Sequence, residues 1–173
     1  MDKVLETIKT RRSIRAYKPD MVEKELIDKV IEAGTYAATG RGNQSPIIIA
    51  VTNREVRDKL SKMNGKIMGT DTDPFYGAPV VLIVLADKTK NTYLYDGSLV
   101  MGNMMLEAHN LGLGSCWIHR AKEEFEMPEW KQWLKDIGVE GEYIGIGHCV
   151  LGYIDGDYPN APKRKENWVY WVK

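Results

Sequence analysis

The chain has 173 residues, and its 24 Lys plus Arg balance 24 Asp plus Glu, for a formal net charge of +0. That length fits one domain, 1–173, with room for a sizeable core, and the charge balance removes the general field that draws in nucleic acid or an anionic membrane. Cys116 and Cys149 lie far apart and form no Cys-x-x-Cys pair, so no zinc site is expected and both fit a reduced, cytoplasmic core.

Met1-Asp2-Lys3-Val4-Leu5-Glu6 is charged from the start and carries no secretory pattern. Val4, Leu5 and Ile8 fall on one side of an opening helix. Directly after it, Arg11-Arg12-Ser13-Ile14-Arg15 gathers three guanidinium groups and a hydroxyl within five residues. Arginine presents a rigid fork that matches two phosphate oxygens and serine adds a neutral donor, so the cluster fits a localised anion, phosphate first. Cations at a helix end equally complement its negative pole and can simply be solvated there.

From Glu23 to Ala37, the residues Leu26, Ile27, Val30, Ile31, Gly34 and Ala37 share one face, the spacing of a helix docked on a core. A loop from Ala38 to Pro46 follows, containing Gly40-Arg41-Gly42-Asn43-Gln44-Ser45. Its amide side chains offer donor and acceptor together, which suits the edge of a heterocycle and also an ordinary turn. Ile47 to Val51 reads as a strand buried on both faces. Arg54 to Met63 predicts a short helix, and the polar run from Asn64 to Asp73 predicts a surface connection, the most mobile part of the chain. Val80 to Ala86, with Pro79 at its start, predicts a central strand.

The segment from Tyr93 to Leu111 is apolar nearly all the way round and carries Gly97, Ser98, Gly102 and Ala108. It predicts a helix buried on more than one side, at the centre of the domain or of a subunit interface. Asp96, Asn103, Glu107, His109 and Asn110 interrupt it too often for a bilayer crossing. Gly112 and Gly114 end that helix, and Ser115 to Ile118 forms a short strand. Glu123 to Ile137 is broken at Pro128, and Tyr143 to Tyr153 forms a further strand, in which Gly145 and Gly147 admit another backbone closely. Pro162-Lys163-Arg164-Lys165 then offers a second basic cluster, able to complete a phosphate site from the other end of the chain or to remain a solvated tail.

The common chemical motifs fail. Neither Gly112-Leu113-Gly114 nor Gly145-Ile146-Gly147 continues into Gly-x-Gly-x-x-Gly, and Gly34 and Gly40 are misspaced for a P-loop. His109, His119 and His148 lack metal-ligand spacing, so no metal is expected. Cys116 with His119 or His148 has no local third group to orient a nucleophile and base.

Taken in order, the pieces resemble the FMN-dependent nitroreductase family of flavin oxidoreductases. Arg11-Arg12-Ser13-Ile14-Arg15 is similar to its N-terminal Arg-x-Ser-x-Arg/Lys signature, and Gln44-Ser45-Pro46 to its Gln-Pro loop. Tyr76-Gly77-Ala78-Pro79 looks like the lead-in to its central strand. Leu111-Gly112-Leu113-Gly114-Ser115-Cys116-Trp117-Ile118 resembles its glycine-rich strand beside the flavin, and Arg164-Lys165 its C-terminal basic pair.

The resemblance implies an α+β fold with a mixed, mainly antiparallel sheet flanked by helices, and an intertwined homodimer with FMN at the interface. By the same resemblance Arg11, Arg12, Ser13, Arg164 and Lys165 hold the phosphate and ribityl chain. Arg15 lies near the pyrimidine, where its charge raises the flavin's reduction potential. Asn43, Gln44 and Ser45 come from the opposite subunit, and Gly114 and Ser115 offer backbone amides to the ring. The activity implied is hydride transfer from NADH or NADPH, through FMN and by a two-step ping-pong cycle, to a nitroaromatic, quinone or flavin-like acceptor. No catalytic side chain is called for. A flavin carrier or sensor, or a specialised branch carrying out reductive dehalogenation or flavin fragmentation, stands as the alternative. Gly42 occupies the position where many members carry Asn, which shifts Asn43 by one. The compact segment 64–73 implies an open pocket, which Phe75, Tyr76 and Trp117 could line if they are not core.

Overall fold

A computed structural model describes residues 2–173. In chain order its helices and strands are α1 (Lys3–Thr10), α2 (Lys24–Thr35), β1 (Pro46–Val51), α3 (Arg54–Met68), β2 (Val80–Asp87), α4 (Tyr93–Asn110), β3 (Gly114–Ile118), α5 (Ala121–Glu126), α6 (Pro128–Asp136) and β4 (Tyr143–Gly152), with a 3-10 turn at Gly40–Gly42. The strands form one sheet in the order β1-β2-β4-β3, and every neighbouring pair is antiparallel. A parallel component enters through an isolated bridge between Ser13 and Ser115. Among the described residues no helix is long and apolar enough to cross a membrane.

β2 has the position its composition predicts. Val80 through Ala86 are all fully buried, because both faces of this interior strand are covered by helices. Val81, Ile83 and Leu85 pack with Leu60 of α3, Phe125 of α5 and Trp130 of α6, whereas Val80, Leu82, Val84 and Ala86 pack with Val30 of α2 and with Val100, Met101 and Met104 of α4. The period-2 alternation of one strand therefore generates two cores, one on each side of the sheet.

β4 runs beside β2 and bulges there. The register steps from Val84↔Gly147 to Leu85↔Gly145, which leaves Ile146 as the extra residue. The glycines on either side make room for neighbours. A Cβ on Gly145 would sit 2.2 Å from the Ala121 carbonyl, and one on Gly147 would sit 2.5 Å from the Trp117 indole nitrogen.

Two predicted elements differ from those observed. β1 is an edge strand, and Ile47, Ile48 and Ile49 are only half-buried, since an apolar run reports a strand but not its number of neighbours. α3 does not stop at Met63 but continues to Met68, where Gly69 closes it in the left-handed region at φ 78. Its polar end is not all surface. Asn64 is fully buried, its Nδ2 donating to the His119 carbonyl at 2.8 Å and its Oδ1 accepting from Arg120 Nε at 2.8 Å.

α4 buries Gly97, Val100, Met101, Met104 and Ala108, yet Leu94, Tyr95 and Leu99 remain 50%, 69% and 49% exposed. α1 buries no residue at all, although Val4, Leu5 and Ile8 form an apolar face.

One ionisable pair lies inside the core. His148 of β4 and Glu124 of α5 are both fully buried, with Nε2 and Oε2 2.7 Å apart but not aligned as a hydrogen bond, and with Phe75 and Phe125 packed around the imidazole. Removing one partner strands the other in a low-dielectric interior. Chemical denaturation of His148→Ala is therefore expected to show a loss of about 3–5 kcal/mol.

Candidate anion and cofactor site

α1 ends at Thr10, and Arg11 leaves it in an extended conformation at φ −55, ψ 137. The following residues lie along the free edge of β3: Ser13 bridges Ser115, and the Ile14 N–H donates to the Ser115 carbonyl at 3.0 Å. Gly114 makes this approach possible, because a Cβ there would meet the Ile14 side chain at 3.0 Å. Ile14 is buried and its carbonyl accepts from Tyr17 Oη at 2.8 Å, and along this strap of residues 11–15 Arg15 is exposed whereas Arg11 and Arg12 are half-buried.

A cavity of about 700 Å³ opens at this place, lined by Arg11, Arg12, Ser13, Arg15 and, from the other end of the chain, Arg164. The two basic clusters thus come together. Lys165 does not join them. Its ammonium sits over the Trp168 ring at 4.7 Å, while Arg164 donates to the Pro162 carbonyl at 3.0 Å.

The arginines divide between capping the helix end and facing the cavity. Arg12 Nη1 caps the end of α1, donating to the Lys9 and Arg11 carbonyls at 2.9 and 2.6 Å. Arg11 Nη1 and Arg12 Nε, however, are buried N–H donors with no acceptor among the described residues. Charged donors in that condition are costly unless a ligand accepts from them, and a phosphate group has the charge and the oxygens to do so. Beside them, burial raises the pKa of the Cys116 thiol despite the opposing pull of Arg15, Ser13 and Arg11, so it remains protonated at neutral pH.

Asn43, Gln44 and Ser45 lie elsewhere. They precede β1, at the opposite edge of the sheet from β3, and four strands place those edges about 14 Å apart at roughly 4.8 Å per spacing. Asn43 and Gln44 are exposed, and Gln44 holds a positive φ of 48 with its N–H donating to Thr39 Oγ1 at 3.1 Å. Ser45 is only 4% exposed, and its hydroxyl donates to Asp96 Oδ2 at 2.8 Å.

Asp96 organises this loop and was not singled out from sequence as a site residue. Its Oδ1 accepts from the Gly40 N–H at 2.9 Å and its Oδ2 also accepts from Thr92 Oγ1 at 3.0 Å. Burial raises the pKa of the carboxyl, but the bonds from Gly40, Ser45 and Thr92 together outweigh that and hold it below the usual aspartate value. The available signal was a carboxylate at the start of an apolar helix. Of the candidate aromatics, Phe75 is core, Trp117 is half-buried over Gly147, and Tyr76 is exposed at a positive φ of 55.

The Nitroreductase family model matches residues 8–74 and 69–153. The chain belongs to the nitroreductase family. It is 37% identical over 123 residues to a protein of Methanothermobacter thermautotrophicus provisionally named NADH dehydrogenase/NAD(P)H nitroreductase, covering 66% of this chain and 59% of that one. A protein of the same name from Archaeoglobus fulgidus is 29% identical over 158 residues, covering 88% of this chain and 86% of the other. The chain thus spans about six-tenths of the first relative's length but most of the second's. Its fold is similar to that of a Bacteroides fragilis nitroreductase solved with bound FMN, at a TM-score of 0.90, 28% identity and 100% coverage of both chains.

Within this nitroreductase fold, Asp96 is expected to keep the amide loop in place. Its contribution is fully present above the unfolded aspartate pKa of about 3.9 and is lost as pH falls through the lower folded value. Replacing it in Asp96→Ala leaves three donors unmatched, so chemical denaturation at pH 7 should show a loss of about 1–3 kcal/mol. Hydrogen exchange should accelerate at Gly40, whose amide bonds the carboxylate directly.

Proposed function

We propose that this chain, read as one domain over residues 1–173, binds FMN and works as an NAD(P)H-dependent oxidoreductase. The observation that carries the reading is the pair of buried, unmatched N–H donors on Arg11 and Arg12 in a cavity that Arg164 enters from the other terminus. Resemblance in fold to an FMN-bound nitroreductase supports it. Arg11, Arg12, Ser13 and Arg164 would hold the phosphate, with Arg15 toward the pyrimidine and Gly114 and Ser115 toward the ring. Lys165 would need to leave Trp168 to take part.

Bound FMN would supply the redox chemistry, accepting hydride from NADH or NADPH and passing electrons to a nitroaromatic, quinone or flavin-like acceptor in a ping-pong cycle. The side chains would supply binding, orientation and a positive field. A cytoplasmic setting suits Cys116 and Cys149, both buried and unpaired.

The spacing of the parts supports reading the assembly as a homodimer. The amide loop stands a sheet's width from the arginines of its own chain, so a second copy would be needed to bring Asn43 and Gln44 to them. The exposed apolar faces of α1 and α4, and Trp168, Tyr170 and Trp171 in the tail, are the surfaces such a partner would cover.

Purified protein should gain visible flavin absorption on addition of FMN and bleach when NADH or NADPH is added without oxygen. A colourless protein would refute the reading, and bound flavin that does not bleach would favour a carrier or sensor. Arg11→Ala and Arg12→Ala should each weaken FMN binding by roughly 1.5–3 kcal/mol, measured by fluorescence titration. Light scattering on the eluting protein should give twice the 19.7 kDa chain mass.

A further inference from the structure

His109 occupies the last turn of α4, half-buried between the end of α1 and the tail. Its Nε2 lies 2.8 Å from Thr10 Oγ1 and its Nδ1 lies 3.1 Å from Tyr158 Oη, with the two rings stacked at 5.8 Å. Both hydroxyls already donate elsewhere. Thr10 Oγ1 donates to the Glu6 carbonyl at 2.7 Å, and Tyr158 Oη donates to the Thr10 carbonyl at 3.0 Å. Tyr158 Oη also accepts the backbone N–H of Arg12 at 3.0 Å.

The protons can be counted. A hydroxyl carries one, and carbonyls only accept, so while Thr10 and Tyr158 keep their carbonyl partners both contacts to the imidazole are donated by the ring itself. The neutral ring has one N–H and the imidazolium has two. The neutral ring therefore leaves one contact unmade, and the cation completes all of them.

Opposing this, burial and then the charges of Arg11 and Arg12 lower the pKa of His109 and favour the neutral ring. The other charged residues nearby are placed as follows. On α4, the Glu107 carboxylate accepts from Asn110 at 3.3 Å. On α1, Glu6 and Lys9 enter the network through their carbonyls, and in the tail Asp157 adjoins Tyr158. The repulsion from the arginines is what a bound anion would cancel.

We propose that binding of a phosphate-bearing ligand at Arg11 and Arg12 is coupled to the uptake of up to one proton from solvent by His109, with Tyr158 linking the imidazole to the Arg12 backbone. His109 and Tyr158 are positioning residues for the anion site, and the inference rests on the FMN reading above. The sign follows from linkage. The ligand raises the pKa of the imidazole, so protons are taken up between its free and bound values, and affinity rises as pH falls through that window. The second ionisation of the phosphate, near pH 6, works in the opposite direction, which makes a variant lacking the imidazole the necessary reference.

The test is calorimetric titration of FMN into the wild-type protein, His109→Gln and Tyr158→Phe from pH 6.5 to 8.5, in buffers of different ionisation enthalpy. The wild type should take up roughly half a proton more than either variant near pH 7, and should gain about fivefold in affinity across that range relative to them. Proton NMR of the imidazoles should show the His109 titration moving upward on saturation with FMN. Equal proton uptake in all three proteins overturns the coupling and leaves the FMN reading standing. Failure of FMN to bind at any pH overturns both.

Discussion

The basic cavity depends on Ile14 lying against Gly114. That contact brings the segment after α1 close enough to β3 for the Ile14 N–H to reach the Ser115 carbonyl, and it fixes where the arginines emerge. Like charges resist such crowding. The strap is held against their repulsion by the buried Ile14 side chain, the Tyr17 hydroxyl and the Lys18 N–H donating to the Tyr153 carbonyl at 2.9 Å. A bound anion would relieve a strain that the hydrophobic edge of the sheet sustains, which is the ordinary logic of a preorganised site.

How much of this was legible in the sequence differs from element to element. β2 and α2 were clear because a continuous apolar run and a 3.6-residue period each report directly on burial. The break at Pro128 and the close approaches at Gly145 and Gly147 were equally readable, since each reflects a steric property of one residue. β1 was assigned too much cover, because its run of isoleucines does not say whether one strand or two will flank it. The end of α3 was misjudged for a different reason. Asn64 is polar and fully buried, and its partners, the His119 carbonyl and Arg120, lie more than fifty residues away, at separations of 55 and 56.

The site shows the same division. The arginine cluster and Arg164 stand out in the sequence because charge density is a local property, and the structure places them around one cavity. Lys165 belongs to the same basic cluster and to the pair that resembles the family's C-terminal signature, but its ammonium sits over the Trp168 ring, a contact that charge alone does not reveal. Asp96 reads in the sequence only as an interruption of the apolar helix, because its role in the loop depends on bonds to residues 51 and 56 positions earlier in the chain. Its buried carboxylate ties the loop before β1 to the N-terminal turn of α4, so the helix with an exposed apolar face also sets the shape of the amide loop.

The distance between the two edges of the sheet has a consequence in mass action. If one copy supplies the arginines and another the amides, cofactor and partner are linked ligands of the same chain. Each increment in the concentration of one then tightens the other's binding, by the same factor in both directions. Dilution would therefore release cofactor even at a fixed cofactor concentration. A cell could set how much of the protein is loaded simply by how much of it is made.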